Sequence, residues 1–258
     1  MATSSIRVDD EGGIAVVTLQ HGKANTLDTE FCRELTLRLE DVQLSDCRGV
    51  VLTGTGGIFS AGVDLRRVHD GGADYIEDFL PALSDAFLSV FGFPGPVVAA
   101  VNGHAIAGGA VLAAACDRRV LADGPGRIGI TELLVGVPFP LAALEILRSG
   151  FGADVLAELA FLGETHLPAD ALRLGLVNEV TAPENVVGRA VEVARKLAEI
   201  PAAAYAHTKA QLHRPFHERI AEHRTGDDAH VLELWSSPEA TAAIKAYVDR
   251  VLRGGSTG

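Results

Sequence analysis

The chain has 258 residues, 48% of them apolar and 22% charged, which is enough for one continuous core and too little for two full enzyme domains. Disordered, collagen-like and small disulfide-stapled proteins are thereby excluded. Twenty-two basic against 34 acidic residues leave a net charge of −12, which argues against nucleic-acid binding through a broad basic face. An anionic ligand has to be held by local cations or by backbone N–H groups.

The longest unbroken apolar run, Ala110 to Cys116, has seven residues, far short of the roughly 20 that span a bilayer, so no membrane insertion is expected. The start shows neither the apolar stretch of a secretory signal nor an Arg-rich, acid-poor leader, and the expected location is cytoplasmic. Cys32, Cys47 and Cys116 are odd in number and lack CxxC spacing. They read as buried thiols in a reducing compartment rather than as a disulfide framework or a zinc site.

In chain order, Ile6 to Val8 and Ile14 to Leu19 read as strands around the hairpin-like turn Asp-Asp-Glu-Gly-Gly. Asp28 is placed to cap a helix whose Phe31, Leu35, Leu39 and Val42 recur at three- and four-residue spacing. Val50 to Leu52 is a short buried strand. A second unit follows: a helix from about Tyr75 to Phe91, a strand at Val97 to Val101, and an apolar helix opening near Gly108. Arg119 to Ala122 is a further strand. The alternation predicts an α/β fold. From Pro183 onward the patterns are helical, over Val187 to Leu197, Ala202 to Leu212, Phe216 to Leu234 and Ala240 to Leu252, with Pro215 expected to break the register. This divides the chain into a core, 1–182, and a helical region, 183–258, whose Gly-Gly-Ser-Thr-Gly end is expected to fray.

Two glycine-containing turns carry candidate chemistry, Gly57-Ile-Phe-Ser-Ala-Gly-Val-Asp-Leu65 and Asn102-Gly-His-Ala-Ile-Ala-Gly-Gly-Ala110. Each follows a strand pattern and precedes a helix pattern. Helix N-termini offer unpaired N–H groups, and glycine lets a ligand approach the backbone, so the two turns can aim two donors at one oxygen. In Ile128-Gly-Ile-Thr-Glu-Leu-Leu-Val-Gly-Val-Pro138, Glu132 is a lone carboxylate in an apolar stretch, and glutamate is seldom buried without a task or partner.

The segments Ile58 to Leu65, Val101 to Asp117, Ile128 to Pro138 and Leu167 to Val180, in this order, resemble the crotonase superfamily, the enoyl-CoA hydratase and isomerase family. The similarity runs from about Ile6 to Leu252. It implies a crotonase-like spiral of ββα units with a C-terminal helical trimerisation region, assembling as a homotrimer or a dimer of trimers. It further implies acyl-CoA as substrate and stabilisation of a thioester enolate by the N–H groups of Val63 and Gly108. Hydratases of this family handle water with two glutamates; the positions that match here are Val111 and Glu132. Valine neither positions nor deprotonates water. The pattern therefore most resembles the Δ3,Δ2-enoyl-CoA isomerases, in which one glutamate, here Glu132, shuttles the proton, with no metal or redox cofactor besides the coenzyme A thioester itself.

The resemblance also places Lys23, Ala24, Ala61 and Leu65 along the CoA cleft, beside Val111, and matches Tyr247 and Arg250 to an aromatic and basic pair that some relatives extend to the CoA of a neighbouring subunit. Arg66 and Arg67 lie close in sequence and are expected at the surface. His207, His213, His217, His223 and His230 lack HExxH spacing and read as surface residues. Asp64 reads as a loop or cap residue, and His104 as packing or acyl contact. The alternatives are a hydratase-like enzyme that takes its second polar group from a loop at 69–79, where His69, Asp70, Asp74, Tyr75, Glu77 and Asp78 are available, and a non-catalytic acyl-CoA-binding protein.

Overall fold

The N-terminal runs pair as a hairpin in the computed structural model, which describes residues 4–254: β1 (Ile6–Asp10) is antiparallel to β2 (Ile14–Leu19) around Gly12 and Gly13, both at positive φ. Side chains of β2 alternate, with Ile14 and Val16 on one buried face and Ala15, Val17 and Leu19 on the other. Helix α1 (Thr29–Gln43) begins where the Asp28 carboxylate accepts the Phe31 N–H at 2.8 Å, and it buries the expected Phe31, Leu35, Leu39 and Val42.

Three similar turns of chain come next. Strands β3 (Gly49–Thr53) and β4 (Ile58–Ser60) lead into α2 (Leu65–Phe91); β5 (Val97–Val101) and β6 (His104–Ile106) lead into α3 (Gly108–Ala115); β7 (Arg118–Ala122) and β8 (Ile128–Gly129) lead through a 3-10 turn, Glu132–Val135, to α4 (Leu141–Phe151). The chain continues through α5 (Ala153–Leu162), β9 (Thr165–His166), α6 (Pro168–Arg173) and β10 (Glu179–Thr181). In each ββα turn the first strand joins a six-stranded sheet of order β1-β2-β3-β5-β7-β10 and the second joins a four-stranded sheet of order β4-β6-β8-β9. The result is the expected α/β spiral. Because β4, β6 and β8 pair in parallel, the connections that leave them emerge side by side.

The C-terminal third is helical from Pro183, as its pattern predicts. A short 3-10 turn enters α7 (Val186–Ala198), whose Val186, Ala190, Val191 and Ala194 cover the Ile14, Val51, Val98 and Val120 face of the large sheet. Then come α8 (Ala202–Trp235) and α9 (Pro238–Gly254). The expected fraying of the last residues falls outside the described part from 255 on. Among the described residues no helix is long and apolar enough to cross a membrane.

Two local expectations are corrected. Residues 69–79 form no extended loop: α2 already starts at Leu65 and consists of two helical segments joined at Gly72, whose φ of 61° and ψ of −154° are non-helical. Val68 before this break and Ile76, Phe79 and Leu83 after it are buried in the same core. Pro215 leaves α8 continuous over 34 residues. It frees one backbone acceptor on an exposed stretch, while His213, two residues earlier, is clamped flat on Phe91 at 3.8 Å between ring centroids. His213 and His217 are thus half-buried rather than surface residues, and burial pushes the His213 imidazole down to about 4.

Candidate active site

The loop before α1 is sewn along the first glycine turn. Asn25, at φ +47°, donates through its side chain to the carbonyls of Ile58 and Phe59, and its own carbonyl accepts the Ser60 hydroxyl at 2.7 Å. Ala61 N–H donates to the Ala24 carbonyl, Leu27 N–H to the Gly62 carbonyl, and Asp64 N–H to the Leu27 carbonyl. These bonds bring Lys23 and Ala24 beside Ala61 and Leu65. Asp64 caps α2 by accepting the N–H groups of Arg66 and Arg67. One residue earlier, the Val63 N–H has no hydrogen-bond partner among the described residues.

The second turn lies against the first. A Cβ on Gly109 would fall 2.2 Å from the Ser60 carbonyl oxygen, so only glycine allows this approach. Ala107 sits at φ +52° and ψ −124°, a strained conformation for a residue with a Cβ, directly before α3. Its carbonyl takes the N–H groups of Ala110 and Val111. Gly108, the first helical residue, keeps its own N–H unpaired among the described residues, as expected at a helix start.

Glu132 opens the 3-10 turn after β8. Its Oε2 is inaccessible to solvent and makes no hydrogen bond among the described residues. Burial pushes this carboxyl up to about 7, against a smaller downward pull from the backbone N–H groups of Glu132 and Thr131. An acid of that pKa exchanges protons readily near neutrality.

Val63, Gly108, Val111 and Glu132 line one cavity of about 490 Å³, together with Lys23, Ala24, Ala61, Leu65 and Tyr247. Nine of the ten residues singled out from the sequence thus converge. The tenth, Arg250, is exposed outside this lining and stacks its guanidinium over the Tyr247 ring at 5.3 Å. Tyr247 belongs to the wall of its own chain's cavity. Arg66 also lines the cavity, whereas Arg67 is committed to Asp28 at 3.0 Å and to Glu30 at 2.9 Å. His104 and the polar residues at 69–79 do not line it.

Sequence reading missed the apolar remainder of the wall: Leu83 and Phe87 from α2, Val137 and Phe139 after the 3-10 turn, Ala143 from α4, and Trp235 from the end of α8. Nothing local marks these residues as different from other core side chains. The keystone role of Asn25 was legible in principle, since asparagine is the residue that most readily takes a left-handed conformation outside glycine.

Comparison with known proteins gives concordant results. The family model described as Enoyl-CoA hydratase/isomerase matches residues 9–252. The chain is 29% identical to human "Enoyl-CoA delta isomerase 1, mitochondrial" over 95% of its own length and 82% of that protein's, and 27% identical to "Short-chain-enoyl-CoA hydratase" of Clostridium acetobutylicum over 97% of each. Among solved structures, human mitochondrial delta3-delta2-enoyl-CoA isomerase superposes with a TM-score of 0.93 at 28% identity, covering 99% of this chain and 100% of that one. An enoyl-CoA hydratase/isomerase from Xanthobacter autotrophicus gives 0.85 at 26% identity, with 97% and 95% covered.

Proposed function

The chain belongs to the enoyl-CoA hydratase/isomerase family, and from that premise we propose that it moves the double bond of a 3-enoyl-CoA to the 2-position by a proton shuttle on a single glutamate. The observation that carries this reading is Glu132: a buried carboxyl of pKa about 7, whose Oε2 has no hydrogen-bond partner among the described residues, in a cavity whose other acid, Asp64, is occupied as a helix cap and whose position 111 is valine.

With the thioester oxygen against the N–H groups of Val63 and Gly108, ionised Glu132 takes a proton from C2. The C–H electron pair passes into the conjugated system and gives a dienolate whose negative charge rests on that oxygen. When the dienolate collapses, C4 takes the proton back from Glu132, the double bond lies between C2 and C3, and the carboxylate is regenerated. Pre-positioned donors are suited to this step because the charge on oxygen develops only during reaction; losing one such donor typically costs about 2.7–4 kcal/mol.

Lys23 and Arg66 at the rim supply the local cations that a polyanionic CoA needs on a protein of net charge −12. We further propose that the chain assembles as a homotrimer or a dimer of trimers, which would bury exposed apolar side chains such as Leu212 and Leu234 on α8. The hydratase-like alternative needs a second polar group at the reacting carbon, and none of His69, Asp70, Asp74, Tyr75, Glu77 and Asp78 is in the cavity lining. Steady-state turnover of 3-enoyl-CoA, set beside direct binding of the same thioester, tests the reading and separates it from a non-catalytic acyl-CoA binder. Tight binding without turnover contradicts the isomerase.

A further inference from the structure

The cavity wall is uneven in exposure: Lys23 and Arg66 are exposed, whereas Leu83, Phe87, Val137 and Trp235 are each no more than 2% exposed. This buried group carries no free hydrogen-bonding side chain: the Trp235 indole N–H is spent on the Pro138 carbonyl at 2.8 Å. Behind the indole stands Phe79, 6.4 Å away between ring centroids, and behind Phe79 stands Tyr75 at 5.6 Å. A tail pressing on Trp235 therefore meets a backed aromatic wall rather than a side chain free to swing aside.

We propose that Trp235 is the specificity-determining residue that closes the acyl end of the cavity, so that the substrates are straight-chain aliphatic thioesters whose tails end at the indole. This rests on reading the cavity as an acyl-thioester site. A hydroxyl or carboxylate on the tail would be stranded among Leu83, Phe87 and Val137 without a partner, and such acyl groups are excluded. Longer tails are stopped by the ring itself.

The chain contains a single tryptophan, so the wall reports on its own occupancy. The unmodified protein is titrated with free CoA and with saturated straight-chain acyl-CoA thioesters of increasing length, with tryptophan emission and calorimetric binding followed together. Free CoA and the shortest thioester should bind while leaving the emission nearly unchanged, and longer tails should shift it. The companion variant is Trp235→Phe, which keeps an aromatic ring and shortens the wall. Losing the bond to Pro138 lowers turnover at every length alike, whereas a receding wall raises kcat/KM for a long 3-enoyl-CoA relative to a short one, by about ten-fold if one further methylene is admitted.

The proposal is overturned if every thioester that binds leaves the emission unmoved, if free CoA moves it as much as a long tail does, or if Trp235→Phe lowers all lengths in equal proportion. If no thioester of any length binds or turns over, the acyl-CoA reading itself falls and takes this inference with it.

Discussion

Gly62 stands directly against Gly108: a Cβ built on Gly62 would lie 3.0 Å from the Gly108 nitrogen and 2.8 Å from the Ile106 carbonyl oxygen. Both are backbone atoms, and Gly62 sits at φ +85°, where a side chain is strained even with space available. Gly62→Ala should therefore cost about 1–3 kcal/mol of stability, read from a denaturant midpoint. By pushing the second donor off line it should also cut turnover, toward the ~10²-fold expected for a lost oxyanion donor. Stability and rate both unchanged would mean that the turns are not held this closely.

Glu132 links stability to pH. Its carboxyl is raised from 4.5 to about 7 in the folded chain, so between those values the folded state binds more protons than the unfolded one and stability falls as pH rises. Glu132→Gln removes this dependence. The variant should gain roughly 3 kcal/mol over the parent at pH 8 relative to pH 4, while losing about 10²–10⁴-fold in rate. The parent's own rate should climb as pH passes through about 7, because the ionised form is the base. Parallel stability–pH curves for parent and variant would contradict the burial of this carboxyl.

Lys209 and Asp117 form a nearly buried pair at 2.9 Å, which ties α8 to the start of β5, since the same Asp117 oxygen accepts the Val97 N–H at 2.7 Å. Lys209→Met leaves Asp117 without its cation and should destabilise the fold by about 3–5 kcal/mol. Urea denaturation measures it. A loss within 0.5 kcal/mol would show that the pair is solvated in solution.

At the rim, Arg66 is unpaired by any carboxylate among the described residues, whereas Arg67 is held by Asp28 and Glu30. Arg66→Ala should weaken CoA binding by about two- to five-fold at low salt, and the difference should shrink at high salt as screening sets in. Arg250→Ala should do less, because that residue lies outside the lining and stacks on Tyr247. Isothermal titration with free CoA at two salt concentrations orders the three residues; a larger effect at Arg67 than at Arg66 would contradict the placement.

Much of the fold was legible because periodicity and capping agree in this chain. Asp28 before Phe31, Leu35 and Leu39 specifies where α1 starts and which face it buries, and the alternating apolar strands specify a sheet covered on both sides. The helical turns before Gly72 and the continuity of α8 were not legible: α2 does break at Gly72, but helix already runs from Leu65, and Pro215 is a local breaker whose cost is offset by tertiary contacts such as Phe91 on His213. Reacting groups announced themselves through glycine turns and a lone carboxylate. The acyl wall did not, because Phe87 and Trp235 look like any other buried aromatics until the helices that carry them are docked.

The central claim, one carboxylate and no water-handling partner, is tested most directly by comparing kcat/KM of the unmodified protein for a 3-enoyl-CoA and for the corresponding 2-enoyl-CoA in water. With valine at 111 beside the cavity and Glu132 as its free acid, isomerisation of the 3-enoyl thioester should exceed hydration of the 2-enoyl thioester by at least about 10²-fold, the usual contribution of one acid–base group. Efficient hydration that disappears in Glu132→Gln would contradict the one-glutamate account and establish a hydratase in its place.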